Sequence, residues 1–232
     1  MAFLSERERR TLGEMLAGMR APVRVALFTG GSPQWDGHAR GLLHEVTARS
    51  RGQVQLEEYD RERDGTAAAL YGVEETPTLV LLFPDGRDSG MRFVGVPLGY
   101  EFGTLINDLV DLSLDRHRVS DALAALARRL PPATTVDVFV TPTCPHCPRT
   151  VHWAHQLAAL SGGRVRGRAV DALEFAAWAD AQEVYAVPKT VVSNPQGQVV
   201  LALEGALPEA GWVDALAAAG GSLPPAGEGE VR

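Results

Sequence analysis

Cys144-Pro145-His146-Cys147 is the segment of this sequence with the clearest capacity for chemistry: the 232-residue chain has two cysteines, and they stand three positions apart. A C-x-x-C pair serves redox exchange, metal ligation or a structural crosslink. Cytosolic proteins seldom hold structural disulfides, which favours the first two. A zinc site would recruit His152 and His155. The spacing C-x2-C-x4-H-x2-H is far shorter than a zinc-finger loop, and four side chains strung along one helix do not converge on one ion. A cluster bridged between two chains, as in some glutaredoxins, is a second metal reading. Haem attachment needs a histidine directly after the second cysteine, where Pro148 stands. Redox exchange is the leading reading.

That chemistry dictates a location. Thiolate, not thiol, attacks a disulfide, and a free cysteine with pKa ~8.5 is mostly protonated near neutrality. Val136-Asp137-Val138-Phe139-Val140 reads as a strand, Thr141-Pro142-Thr143 ends it, and Cys144 opens a helix carrying Val151, Ala154, Leu157 and Ala158 on one apolar face. Unpaired amides and the helix dipole stabilise a negative sulfur there, by ~2 kcal/mol at best, or about 1.5 pKa units. The Cys147 thiol and a protonated His146 would add to this. Pro145 suits a first helical turn. In this arrangement Cys144, the more exposed sulfur, attacks a substrate disulfide, and Cys147, one turn inside, displaces the reduced substrate.

The elements that hold the site occur twice. At a constant offset of 111, Phe28 falls on Phe139, Asp60 on Asp171, Pro77 on Pro188, Pro84 on Pro195 and Gly86 on Gly197. Apolar positions follow, among them Val25 on Val136 and Val80 on Val191. A period this long implies duplicated domains rather than a solenoid. Each unit reads as a leading helix (4–19; 117–130), a strand (22–29; 135–141), a long amphipathic helix (36–50; 146–161), a second strand (53–60; 164–171) and a short helix (65–71; 172–182). Two strands then meet at a Pro/Gly turn, and a last helix follows (99–112; 208–219). The order implies an α/β fold built twice, each unit a central mixed four-stranded sheet flanked by helices. The expected division is 1–116, a unit lacking cysteines; 117–219, the unit with the C-x-x-C; and 220–232, a disordered tail.

Bulk properties narrow the class. The chain is 45% hydrophobic and 22% charged with a formal net charge of −7. That is the composition of a soluble globular protein, without the basic surface nucleic acid requires. No apolar run approaches the ~20 residues that span a bilayer, and the charged start is unlike a signal peptide. A cytoplasmic location is expected.

Thr141-Pro142-Thr143-Cys144-Pro145-His146-Cys147-Pro148 at a strand–helix junction, with Ala186-Val187-Pro188-Lys189 downstream, resembles the protein disulfide oxidoreductases, glutaredoxin-like proteins with tandem thioredoxin folds. The first half agrees through 92–102, from Arg92-Phe93-Val94-Gly95 to Tyr100-Glu101-Phe102. The resemblance spans roughly 4–219. It implies two thioredoxin-like folds, Cys144 as nucleophile, Cys147 as resolving cysteine, and Pro188 as a cis-proline whose preceding residue, Val187, presents backbone to a bound peptide. It implies no cofactor beyond the redox-active disulfide. The implied partners are protein substrates bearing disulfides or dithiols, and a thioredoxin-reductase-like flavoprotein as electron source. The Pro145-His146 dipeptide also resembles that of the periplasmic oxidase DsbA family, which implies a disulfide more oxidising than thioredoxin's.

The chain departs from that family in its first half. Many members carry C-x-x-C in both units, whereas here Pro33-Gln34-Trp35-Asp36 occupies the matching positions and Thr76-Pro77 is kept. A single site in the second fold is similar to the N-terminal domain of the flavoprotein component of alkyl hydroperoxide reductase. This supports an alternative role, an electron relay or docking module serving a dedicated peroxiredoxin or flavoprotein.

Other residues carry plainer expectations. His152 and His155 read as helix-surface residues, and Trp153 and Trp178 as packing. Asp60 and Asp171 read as caps of the following helices. Asp137 reads either as a proton acceptor near Cys147 or as a surface residue, and Lys189 either as tuning the Pro188 loop or as solvated.

Overall fold

The structure, a computed structural model, describes residues 5–220. Glu6–Leu16 (α1) opens on a capping box, in which Ser5 Oγ accepts from the Glu8 amide and the Glu8 carboxylate accepts from the Ser5 amide. The first unit continues with β1 (Val23–Thr29), α2 (Pro33–Arg49), β2 (Val54–Asp60), α3 (Gly65–Tyr71), β3 (Thr78–Leu82), β4 (Asp88–Val94) and α4 (Tyr100–Leu114). The second repeats that order with α5 (Asp121–Arg129), β5 (Thr135–Val140), α6 (Cys147–Leu160), β6 (Arg166–Asp171), α7 (Ala176–Ala181), β7 (Lys189–Ser193), β8 (Val199–Glu204) and α8 (Glu209–Gly220). The expected tail from Gly221 onward lies outside the described residues, and Gly220 belongs to α8.

The two four-stranded sets form one mixed eight-stranded sheet, ordered β2-β1-β3-β4-β6-β5-β7-β8. Each unit supplies the four strands expected of it, and the two sets join where β4 and β6 pair in parallel, with Met91 opposite Gly167 and Val94 opposite Val170. Missing side chains permit the approach. A Cβ on Gly90 (φ 81°) would run into the Val165 carbonyl, and one on Gly163 (φ 79°) into the Asp88 carbonyl. Pairing the two edges also satisfies backbone groups that would otherwise invite a foreign strand.

One face of the sheet carries a continuous core shared by both units. Val25, Leu27, Leu79, Leu81, Met91 and Phe93 join Val136, Val138 and Val140, covered by Leu105 and Leu109 of α4 and by Val151, Ala154 and Leu157 of α6. On the other face the core is split: α3 covers Ala26, Phe28, Val80 and Leu82, and α7 covers Phe139, Val170 and Val191. Strands covered on both faces explain their near-continuous apolar runs.

The matching turns share their backbone hydrogen bonds. Phe83 N donates to Arg87 O and Gly86 N to Phe83 O, as Asn194 N does to Gln198 O and Gly197 N to Asn194 O. Asp60 and Asp171 do not cap α3 and α7 directly. Their Oδ1 atoms accept from the amides of residues 62–63 and 173–174, closing the turn that precedes each helix. Among the described residues, no helix is long and apolar enough to cross a membrane.

Candidate active site

Cys144 and Cys147 are joined as a disulfide with Cα atoms 5.6 Å apart. Regular helix begins at Cys147 rather than at Cys144, three residues later than expected, with His146 as its N-cap. Cys144 and Pro145 therefore lie in the turn that leads into α6. The electrostatic role expected of Cys144 does not depend on the boundary: the Cys147 amide donates to Cys144 Sγ at 3.2 Å. Cys144 is 8% exposed and Cys147 fully buried. Pro145 and His146 are exposed at the tip of this turn.

The Val187–Pro188 peptide is cis, and it faces the cysteines: Val187 O lies 3.8 Å from Cys144 Sγ. The fold thus assembles the sequence-predicted group of Cys144, Pro145, His146, Cys147, Val187 and Pro188 at one end of the sheet. Thr76–Pro77 of the first unit is cis as well.

The first unit reaches into this site. Tyr100 N at the start of α4 donates to Pro142 O at 3.0 Å. Gly99 permits it, because a Cβ there would collide with the Pro142 carbonyl. Glu101 is buried and lines a small cavity of about 10 Å³ with Val140, Pro142 and Asp171. Burial pushes its carboxyl up to about 7, against the Thr104 hydroxyl, which draws it down. Burial likewise raises Asp171, and it lifts Glu174, whose Oε1 accepts from Val96 N at 2.8 Å, to about 7.

Three expectations need correction. His155 is not on the helix surface but fully buried: Nδ1 sits 2.7 Å from Asp108 Oδ2, and Nε2 lies 3.0 Å from the Arg92 carbonyl. A carbonyl only accepts, so Nε2 carries a proton. Its ring also packs edge-on against Phe93, 4.9 Å away, so one imidazole ties α6 to both α4 and β4. Asp137 is neither surface nor near Cys147. It lies on the α7 face of the sheet, clasped by Arg168 Nε and Nη2, whose guanidinium stacks over Trp178 at 5.0 Å. Lys189 is not solvated; it is buried, donating to Glu183 O at 2.8 Å. His152 is half-buried, Trp153 buried, and Trp178 packs on Phe139 as expected.

Sequence reasoning missed Glu101, Asp108 and the His155 bridge. The signal was present in α4, where Glu101 and Asp108 share a helical face with Leu105 and Leu109. Two acids on an apolar stripe announce a buried polar cluster. Among the described residues, no group of three or more His, Cys, Asp or Glu side chains is arranged to hold a metal ion.

Paired β-α-β-α-β-β-α units, a disulfide at a helix start and a cis-proline against it define a tandem thioredoxin-like redox protein. The chain is similar to the protein disulfide oxidoreductase of Aeropyrum pernix, with a TM-score of 0.82 and 28% identity over 97% of this chain and 99% of that one. It shares its fold with AhpF, an alkyl hydroperoxide reductase component of Enterococcus faecalis, with a TM-score of 0.82 and 23% identity over 92% of this chain and 99% of that one. Among curated proteins it is 26% identical over 131 residues to the like-named alkyl hydroperoxide reductase component of Xanthomonas campestris pv. phaseoli, which covers 55% of this chain and 24% of that protein. The aligned part is thus about a quarter of that relative's length. No family model matches the chain.

Proposed function

We propose that this chain is a dithiol–disulfide oxidoreductase acting on protein substrates through Cys144 and Cys147. The observation that carries the reading is the buried-to-exposed ordering of the pair beside the Val187–Pro188 loop: Cys144 is partly accessible and 3.8 Å from the Val187 carbonyl, with Cys147 sealed behind it. An extended substrate segment laid along Val187 would bring its own sulfur to Cys144.

In the reducing direction the Cys144 thiolate attacks one sulfur of a substrate disulfide. A Cys144–substrate bond forms, the substrate S–S bond breaks, and the released thiolate takes a proton. The Cys147 thiolate then attacks Cys144, forming the intramolecular disulfide and releasing the second substrate thiol. Two electrons pass from the protein dithiol to the substrate, and the disulfide is itself the carrier, so the reading invokes no further cofactor. Run in reverse, the same steps oxidise a dithiol, and relative reduction potentials set the direction.

Reduction of insulin by dithiothreitol tests this. Wild-type protein should accelerate the turbidity of released B chains, and Cys144→Ser should return it to the rate of dithiothreitol alone. Cys147→Ser should accumulate substrates as mixed disulfides on Cys144. Equal rates for wild type and Cys144→Ser would defeat the reading.

The likeness to alkyl hydroperoxide reductase components supports a second reading, in which the pair relays electrons to one partner, a peroxiredoxin or a flavoprotein. In that case Cys147→Ser would trap one protein from a lysate instead of many, and insulin would be a poor substrate.

A further inference from the structure

A groove lined by Pro145 and Pro148, the neighbours of the two cysteines, has walls from both units. Tyr100, Gly103 and Asn107 of α4 form one wall; Pro145, Arg149 and His152 form the other, around a volume of about 540 Å³. Arg118, in the segment between α4 and α5, lines it as well. Tyr100 is 54% exposed at its mouth, and Pro145, which adjoins Cys144, is also exposed.

The groove's charge is opposite to that of the molecule. The chain as a whole carries −7, yet none of the residues lining the groove is acidic. Arg149 lies over the Trp153 ring, 5.5 Å from its centroid, which fixes the guanidinium without neutralising it. Arg118 pairs with Asp111 at 3.1 Å, but Asp111 is buried and also bound by Arg116, so the three groups leave one positive charge. A concave basic strip on an acidic protein focuses field lines and selects approaching segments of negative charge.

We propose that this groove is the docking surface for a partner protein segment with acidic residues flanking its disulfide, held so that its sulfur meets Cys144. The proposal rests on the exchange reading above and deepens it by naming the substrate class. It also gives the cysteine-free unit a function, since α4 supplies one wall.

The test uses the intact chain, reduced with dithiothreitol and desalted. It is mixed with synthetic peptides of equal length that contain one internal disulfide flanked by Asp and Glu, by Ser, or by Lys. Exchange oxidises the protein dithiol and reduces the peptide disulfide, and the second-order rate constant is followed by separating the products. At low salt the acid-flanked peptide should react roughly tenfold faster than the Lys-flanked one. The ratio should collapse at about 0.5 M salt, where charges are screened within a few ångströms. Arg149→Glu and Asn107→Glu should each lower the ratio of the acid-flanked rate to the Ser-flanked rate several-fold. Asn107 tests the wall contributed by the first unit. Gly103→Gln, where a Cβ meets nothing within 4 Å, should fill the groove floor without disturbing the fold and slow the acid-flanked peptide. Equal rates for acid- and Lys-flanked peptides, or a preference that survives both charge variants, would overturn the proposal while leaving the exchange reading intact. No reaction with any peptide, Ser-flanked included, would overturn both.

Discussion

The two units share a backbone plan and differ where a substrate would dock. Each has a cis X–Pro bond, Thr76–Pro77 and Val187–Pro188, and each has the same closing turn. In the second unit Cys144 faces the Val187 carbonyl. In the first the loop before α2 packs closely on the cis-proline strand: a Cβ on Gly31 would lie 2.7 Å from Thr76 Oγ1 and 2.9 Å from Thr76 O. Asp36, at the position matching Cys147, is 6% exposed and its Oδ2 accepts from Gly30 N at 3.0 Å. The comparison teaches that the cis-proline belongs to the fold, whereas the thiols, and a carbonyl before the proline that faces one of them, belong to the chemistry.

The largest effect should come from trying to move the site. Cys144→Ser/Cys147→Ser with Pro33→Cys/Asp36→Cys places the pair in the first unit. Insulin reduction should stay at the rate of dithiothreitol alone, because Gly31 packs against Thr76 O, the counterpart of the Val187 carbonyl that faces Cys144. Appreciable turnover would break the comparison, showing the first unit to be silent only for want of thiols.

The second expected effect concerns the joint between units. His155 of α6 is held by Asp108 of α4 and the backbone of β4, all buried. Asp108→Ala leaves a buried imidazole without its partner and should cost about 3–5 kcal/mol in denaturant unfolding. Because α4 and α6 also wall the groove, acid-flanked peptide exchange should suffer more than exchange with small disulfides. A cost below ~1 kcal/mol would show that the units are joined chiefly by the β4–β6 ladder.

Much of this plan was legible in the sequence, and the exceptions have physical reasons. The constant offset placed both sets of elements, because Pro and Gly at turns are fixed by backbone geometry and do not drift. The C-x-x-C was legible because its function is local. The β4–β6 seam was not, since edge pairing is decided by atoms far apart in the chain. His155 was misread because a histidine on a helix looks solvated until its partner 47 positions away is known.

A third effect is set by acidity. Glu101 is raised to about 7 in the fold from an ordinary value of 4.5. The folded protein therefore binds this proton more tightly than the unfolded chain does. The contribution is fully present below about 4.5, declines as pH rises from there to about 7, and is constant beyond. A shift of this size has a ceiling of ~3 kcal/mol. Comparing wild type with Glu101→Gln from about pH 4.5 to 8 isolates it: the variant should show the shallower decline and be the more stable above about pH 7. Parallel curves would remove Glu101 from the account. Glu174, raised to about 7 in the second unit, should show a decline of similar size through Glu174→Gln.

The smallest effect lies in the vestigial site. Asp36 Oδ2 accepts from the amide of Gly30, six residues earlier in the chain, across the loop that packs on Thr76. A carboxylate receiving one backbone N–H resembles a helix cap in energy, so Asp36→Ala should cost about 1 kcal/mol. The informative readout is local: hydrogen exchange at Gly30 should accelerate, while amides around Cys147 should be unaffected. If Asp36→Ala also slowed exchange of the Cys144 disulfide, the loop in the first unit would be coupled to the active one through α4. The cysteine-free unit would then do more than wall the groove.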